Sequence, residues 1–123
     1  MRYFIVAGEA SGDLHGSNLI KSLIEEDKDA DIVCWGGDLM ESAGAKLLMH
    51  YRNTAFMGFI VILKNLGRVL HNISLCKKQV QEYKPDVLIL IDYPAFNMRI
   101  AKFAKLSGIK VFYYISPKFW AWR

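Results

Sequence analysis

The chain has 123 residues, 53% of them hydrophobic, which is enough for one domain with a real core and excludes a disordered or low-complexity polymer. Sixteen Lys and Arg against twelve Asp and Glu leave a net charge of +4, a mild bias toward anionic partners such as phosphates or an acidic membrane face, and no nucleic-acid partner is expected. No apolar run reaches the length of a bilayer span and Met1-Arg2 leads straight into a strand pattern, so a cytosolic protein is expected.

The first apolar run, Arg2 to Val6, predicts a buried strand, and Leu14, Leu19, Ile20, Leu23 and Ile24 recur at helical spacing beyond it. Between them lies Ala7-Gly8-Glu9-Ala10-Ser11-Gly12-Asp13, a strand-to-helix turn crowded with small residues. Gly8 and Gly12 allow close approach of backbone or ligand and permit positive φ, and the N–H groups of the helix start favour a negatively charged guest. The glycines at 8, 12 and 16 do not form the dinucleotide fingerprint, and Glu9 would repel a pyrophosphate. Glu9 therefore points to a hydroxyl-bearing guest, with Ser11 the expected N-cap and Asp13 set against the helix dipole.

Ile32 to Trp35 predicts a second strand, Leu39 to Ala43 a short helix stopped by Gly44, and Leu47 to Met49 a third strand. The uncharged run 55–63, followed by Lys64 and Arg68, is too short to cross a bilayer. It reads either as buried core, the commoner outcome, or as a patch dipping into a membrane interface with cations at its rim. Leu66, Val69, Leu70, Ile73, Cys76, Val80 and Tyr83 trace a long amphipathic helix ended by Lys84-Pro85. Asp86 to Asp92 is a continuous aliphatic run of the kind buried on both faces of a parallel sheet, and Asp92 falls at its carboxyl end. Asn97 is the expected cap of a helix from Met98 to Ser107, closed by Gly108, and Lys110 to Ile115 forms the next strand before Ser116-Pro117.

Alternating strands and helices predict an α/β fold, a doubly wound parallel sheet whose carboxyl rim gathers Glu9, Asp92 and Ser116. A carboxylate drawn partly out of water there, with Tyr-Pro between it and the next cap, is suited to take a proton from a hydroxyl. Cys34 and Cys76 lack metal or redox spacing and read as reduced core residues; His15, His50 and His71 are scattered, so neither a metal nor a cofactor is expected.

Taken together, the motif through Asp13, Met57-Gly58, Ile91-Asp92-x-Pro94-x-Phe96-Asn97 and Tyr114-Ile115-Ser116-Pro117-x-x-Trp120-Ala121-Trp122-Arg123 resemble the lipid-A-disaccharide synthase family along the whole chain. Ala95 and Val61 stand where such sequences often carry carboxylates, which makes the 55–63 run more apolar still. The resemblance implies that residues 1–123 are the Rossmann-like, acceptor-side N-terminal domain of a GT-B glycosyltransferase whose nucleotide-binding domain is absent from this chain. It implies transfer of 2,3-diacylglucosamine from its UDP donor to 2,3-diacylglucosamine 1-phosphate, with inversion, without metal, and with Asp92 as catalytic base. Gly8, Glu9, Ser11, Gly12, Asp13, Asn97 and Ser116 become the expected substrate-binding set. Phe56, Phe59 and Ile62 become the expected contacts with the inner face of the cytoplasmic membrane, where the enzyme would sit peripherally. The rival readings are a non-catalytic α/β module that binds a nucleotide or lipid, and another UDP-sugar transferase or epimerase of the same architecture.

Overall fold

A strand without alternation of apolar and polar residues is stable only where both faces are covered, and β1 (Arg2–Ala7), past its exposed Arg2, and β4 (Val87–Ile91) take those places. The computed structural model describes residues 1–53 and 66–115. Between and beyond the two strands come α1 (Ala10–Glu26), β2 (Asp31–Gly36), α2 (Asp38–Ser42), β3 (Lys46–His50), a 3-10 turn (Tyr51–Asn53), α3 (Leu66–Tyr83), α4 (Pro94–Leu106) and β5 (Lys110–Tyr114). The five strands pair in the order β3-β2-β1-β4-β5, parallel throughout.

Side chains alternate across the sheet and so build two cores. Phe4, Val6, Val33, Trp35, Leu88 and Leu90 meet Ile73, Cys76 and Val80 of α3 and Phe96, Ile100 and Ala104 of α4. On the opposite face Tyr3, Ile5, Ala7, Cys34, Ile89 and Ile91 meet Ile20 of α1 and Met40 of α2. Helices on both faces of one parallel sheet make the fold doubly wound, as the alternation of elements predicts. At the edge, β5 is covered on one face only, so Val111 and Tyr113 are half-buried while Phe112 and Tyr114 are exposed.

Several expectations shift. Leu14 and Ile24 are exposed; the face of α1 turned to the sheet carries Gly12, Gly16 and Ile20, because small residues let the helix backbone come close. A Cβ at Gly12 would stand 3.1 Å from the Ala7 Cβ. Neither Gly8 nor Gly12 has positive φ, which belongs to Gly44 and Gly108 where chain segments turn after a helix. Leu66 and Leu70 are also exposed, so only Ile73, Cys76 and Val80 of the expected α3 stripe are buried core. Burial holds the Cys34 thiol up to about 12 and pushes Cys76 higher, so neither is a nucleophile near neutral pH.

Asp13 corrects a further expectation. It is 3% exposed, and its carboxylate accepts the backbone N–H groups of Gly37 at 2.9 Å, Leu39 at 3.1 Å and Met40 at 3.0 Å. Instead of answering the dipole of its own helix, Asp13 caps α2, whose local N-cap is a glycine without a side chain to do so. Asp13→Ala strands these amides in a buried place and is expected to lower the unfolding free energy by about 3 kcal/mol, read from denaturant midpoints at unchanged m-value.

Candidate active site

The strand order reverses between β1 and β4, with α1 leaving β1 toward one face and α4 leaving β4 toward the other. Open α/β sheets bind ligands in the crevice that this divergence creates at the carboxyl ends of the strands. Ala7 pairs with Ile91 as the last register position, so Gly8 and Asp92 emerge side by side. The two loops then touch: a Cβ on Gly8 would lie 2.3 Å from Tyr93 Cδ2, so only glycine leaves room for that ring.

Asp92 and Tyr93 both adopt left-handed backbone conformations, with φ of 46° and 53°. Two consecutive non-glycine residues there cost of order 1–3 kcal/mol each, which the surroundings must offset. They do so at the backbone. The Asp92 N–H donates to the Tyr114 carbonyl at 2.8 Å, extending the β4–β5 ladder by one bond. The Asp92 carbonyl accepts the Asn97 side-chain amide at 2.8 Å and the Tyr113 hydroxyl at 2.9 Å. Tyr93 serves as N-cap residue of α4, its carbonyl accepting the Asn97 N–H at 2.9 Å, while its ring stacks on Phe96 at 5.0 Å between centroids. Burial raises the Tyr113 phenol, and the Asp92 charge adds in the same direction, so the hydroxyl remains a donor through the physiological range.

This turn moves the start of α4 to Pro94, four residues before the expected Met98, with proline in the first turn where its missing N–H costs nothing. Asn97 is therefore not a cap. It lies inside the helix, completely buried, with its amide on the Ile91 and Asp92 carbonyls, and it shapes the loop instead of facing a guest. The expectation that Asp92 stands open to a cleft also needs correction, since the residue is 6% exposed.

On the neighbouring loop, α1 begins at Ala10, and the cap position belongs to Glu9 in extended conformation. Ser11 sits in the first turn and donates its hydroxyl to Glu9 Oε1 at 3.2 Å, so it orients the carboxylate instead of capping. Both are exposed at the rim. The exposed Glu9 carboxylate can accept hydrogen bonds from hydroxyl groups.

The structure thus brings Gly8, Glu9, Ser11, Gly12, Asp92 and Asn97 to one end of the sheet, whereas Asp13 turns inward to α2. Ser116, Phe56, Phe59 and Ile62 lie outside the described residues. Sequence reasoning passed over Tyr93 and Tyr113, the first because it read as plain loop and the second because it read as strand core. Beside them, His15 and Tyr114 pack at 5.6 Å between ring centroids and line a cavity of about 220 Å³ with Asn18, Leu19 and Ile91. Among the described residues no cluster of three or more His, Cys, Asp or Glu side chains is placed to hold a metal ion, and no helix is long and apolar enough to cross a membrane.

Fold and rim together define a Rossmann-like domain with Glu9 and Asp92 on neighbouring loops at its switch point. The family model of lipid-A-disaccharide synthetase matches residues 3–123, and the chain belongs to that family. A curated relative, the lipid-A-disaccharide synthase of Geobacter metallireducens, is 46% identical over 122 residues, which are 99% of this chain and 32% of the relative. The chain thus spans about a third of the length of such relatives. Among solved structures, a glycotransferase of kitacinnamycin superposes with a TM-score of 0.67 at 16% identity, over 93% of this chain and 30% of that one. UDP-GlcNAc 2-epimerase from Neisseria meningitidis, solved with UDP-GlcNAc, gives 0.61 at 13% identity, over 92% and 31% respectively. These likenesses show the shared fold.

Gly8→Ala tests the loop contact. The added methyl must push the Tyr93 ring off its seat, and the expected loss is about 1–3 kcal/mol of stability with an altered near-UV tyrosine signal; Gly67→Ala, at a position with nothing within 4 Å of the added Cβ, is the control.

Proposed function

We propose that the full-length protein is an inverting glycosyltransferase that moves 2,3-diacylglucosamine from its UDP donor to 2,3-diacylglucosamine 1-phosphate and releases UDP. Residues 1–123 form its acceptor-side domain, and the donor nucleotide is held mainly by a second domain of the same protein. Membership of the lipid-A-disaccharide synthetase family supports this reading, and the observation that carries it is the position of Asp92 at the switch point beside the Gly8–Ser11 loop.

In this reading an acceptor hydroxyl attacks the anomeric carbon of the donor as the bond to UDP breaks, and Asp92 takes the hydroxyl proton. Asp92 is 6% exposed, so this reading requires the acceptor hydroxyl to come within hydrogen-bond reach of it at the switch point beside Gly8. Glu9, oriented by Ser11, accepts further hydroxyls of the sugar, while Gly8 and Gly12 face inward, against Tyr93 and Ala7, and hold the loop in place. Ser116 completes the proposed binding set. Asp92→Asn in the full-length protein is expected to lower kcat by at least about a hundredfold at unchanged thermal midpoint, since general-base help is typically of that size. Near-normal disaccharide formation by the folded variant removes Asp92 from the chemistry.

The acceptor's acyl chains stay in the bilayer, so the same proposal sets the protein peripherally on the inner face of the cytoplasmic membrane. Phe56, Phe59 and Ile62 would supply apolar contact, with basic side chains near anionic headgroups. Flotation with anionic liposomes checks this: Phe59→Glu and Ile62→Glu should weaken binding while circular dichroism stays unchanged, and unchanged flotation of the folded variants rejects the membrane contact.

A further inference from the structure

We propose that Tyr113 is a positioning residue for Asp92, its hydroxyl fixing the left-handed turn that carries the carboxylate. The chemistry assigned to Asp92 rests on the transferase reading above; the clamp itself rests on geometry alone. The Asp92 carbonyl belongs to the peptide plane between the two left-handed residues, and flipping that plane would change ψ of Asp92 and φ of Tyr93 together. Among the described residues two donors hold the plane. The Asn97 amide arrives from α4, within the same loop and helix, whereas the Tyr113 hydroxyl arrives from β5, the neighbouring strand. A carbonyl has two lone pairs, and these two bonds use both. Asn97 alone could move with the helix it belongs to. Tyr113 ties the plane to the sheet, alongside the bond from Asp92 N–H to the Tyr114 carbonyl, which no side chain can supply.

The ring of Tyr113 is half-buried and packs with Val111 against the α4 side of the sheet, so its seat does not depend on the hydroxyl. Phenylalanine at this position keeps the packing and removes one bond. A turn released by that loss relaxes toward ordinary backbone conformations and carries the carboxylate with it, and displacement on the scale of an ångström is enough to cost an enzyme one to two orders of magnitude in rate, on the order of 10- to 100-fold.

The test uses Tyr113→Phe in the full-length protein, alone and combined with Asp92→Asn. Native-state hydrogen exchange should show the Asp92 amide losing at least about tenfold protection while the amides of β1 keep theirs, and kcat should fall about tenfold at unchanged KM. In the Asp92→Asn background the tyrosine substitution should cost nothing further, because its effect passes through the carboxylate. Unchanged Asp92 protection or unchanged kcat in Tyr113→Phe overturns the inference. So does an equal loss in both backgrounds, or faster exchange across the whole sheet, either of which would make the hydroxyl a general support of the fold. Full activity in Asp92→Asn alone instead overturns the base assignment, and the Asp92 amide then decides the clamp on its own.

Discussion

The Asp92-Tyr93 turn is the constraint on which the rest of the rim depends. Two left-handed residues in succession would relax in a free chain, so their presence at the end of β4 requires bonds from three directions: β5 main chain, β5 side chain and the first turn of α4. The turn in turn decides where α4 begins, which side of the sheet it takes and where the Tyr93 ring falls. Gly8 follows from that ring, since no other residue fits beneath it. Thus a conformation stored in one loop dictates composition in another that is more than eighty residues away in sequence.

A comparable economy governs the other face. Gly12 brings α1 against Ala7 and Ile91, and once the helix lies that close, the carboxylate of Asp13 is buried and needs donors. The amide groups at the start of α2 supply them. The Gly-rich motif therefore does two jobs at once. Glu9 and Ser11, on its exposed side, belong to the rim, while Gly12 and Asp13, on its inner side, belong to the scaffold that holds the rim still.

The architecture was legible because parallel strands and their helices write it in one-dimensional patterns. Ile5-Val6 and Leu88 to Ile91 have no alternation, as strands covered on both faces must, and the helical residues Ile73, Cys76 and Val80 repeat at threes and fours. The place of Asp92 at a strand end, beside the Gly8 loop, was legible. Roles within the site were not. Ser11 and Asn97 have the chemistry of caps, and the sequence offered both cap positions, yet neither caps; Glu9 and Tyr93 occupy those places. Capping depends on where the helix starts by one residue, and that is set by φ and ψ of the preceding turn.

What the sequence by itself determined is the order of elements, the parallel doubly wound class, the family and the loops that meet at the switch point, because each is encoded in periodicity or in motifs of contiguous residues. Only tertiary structure decided that Asp13 faces α2, that Asn97 and Tyr113 converge on one carbonyl, and that Tyr93 lies over Gly8. Apart from Asn97 on Asp92, those contacts join residues 21 to 85 positions apart, and they leave no trace in local composition. Their physical basis is the pairing of Ala7 with Ile91 and of Ile91 with Tyr114, which sets three strand ends side by side and leaves the loops above them to satisfy one another.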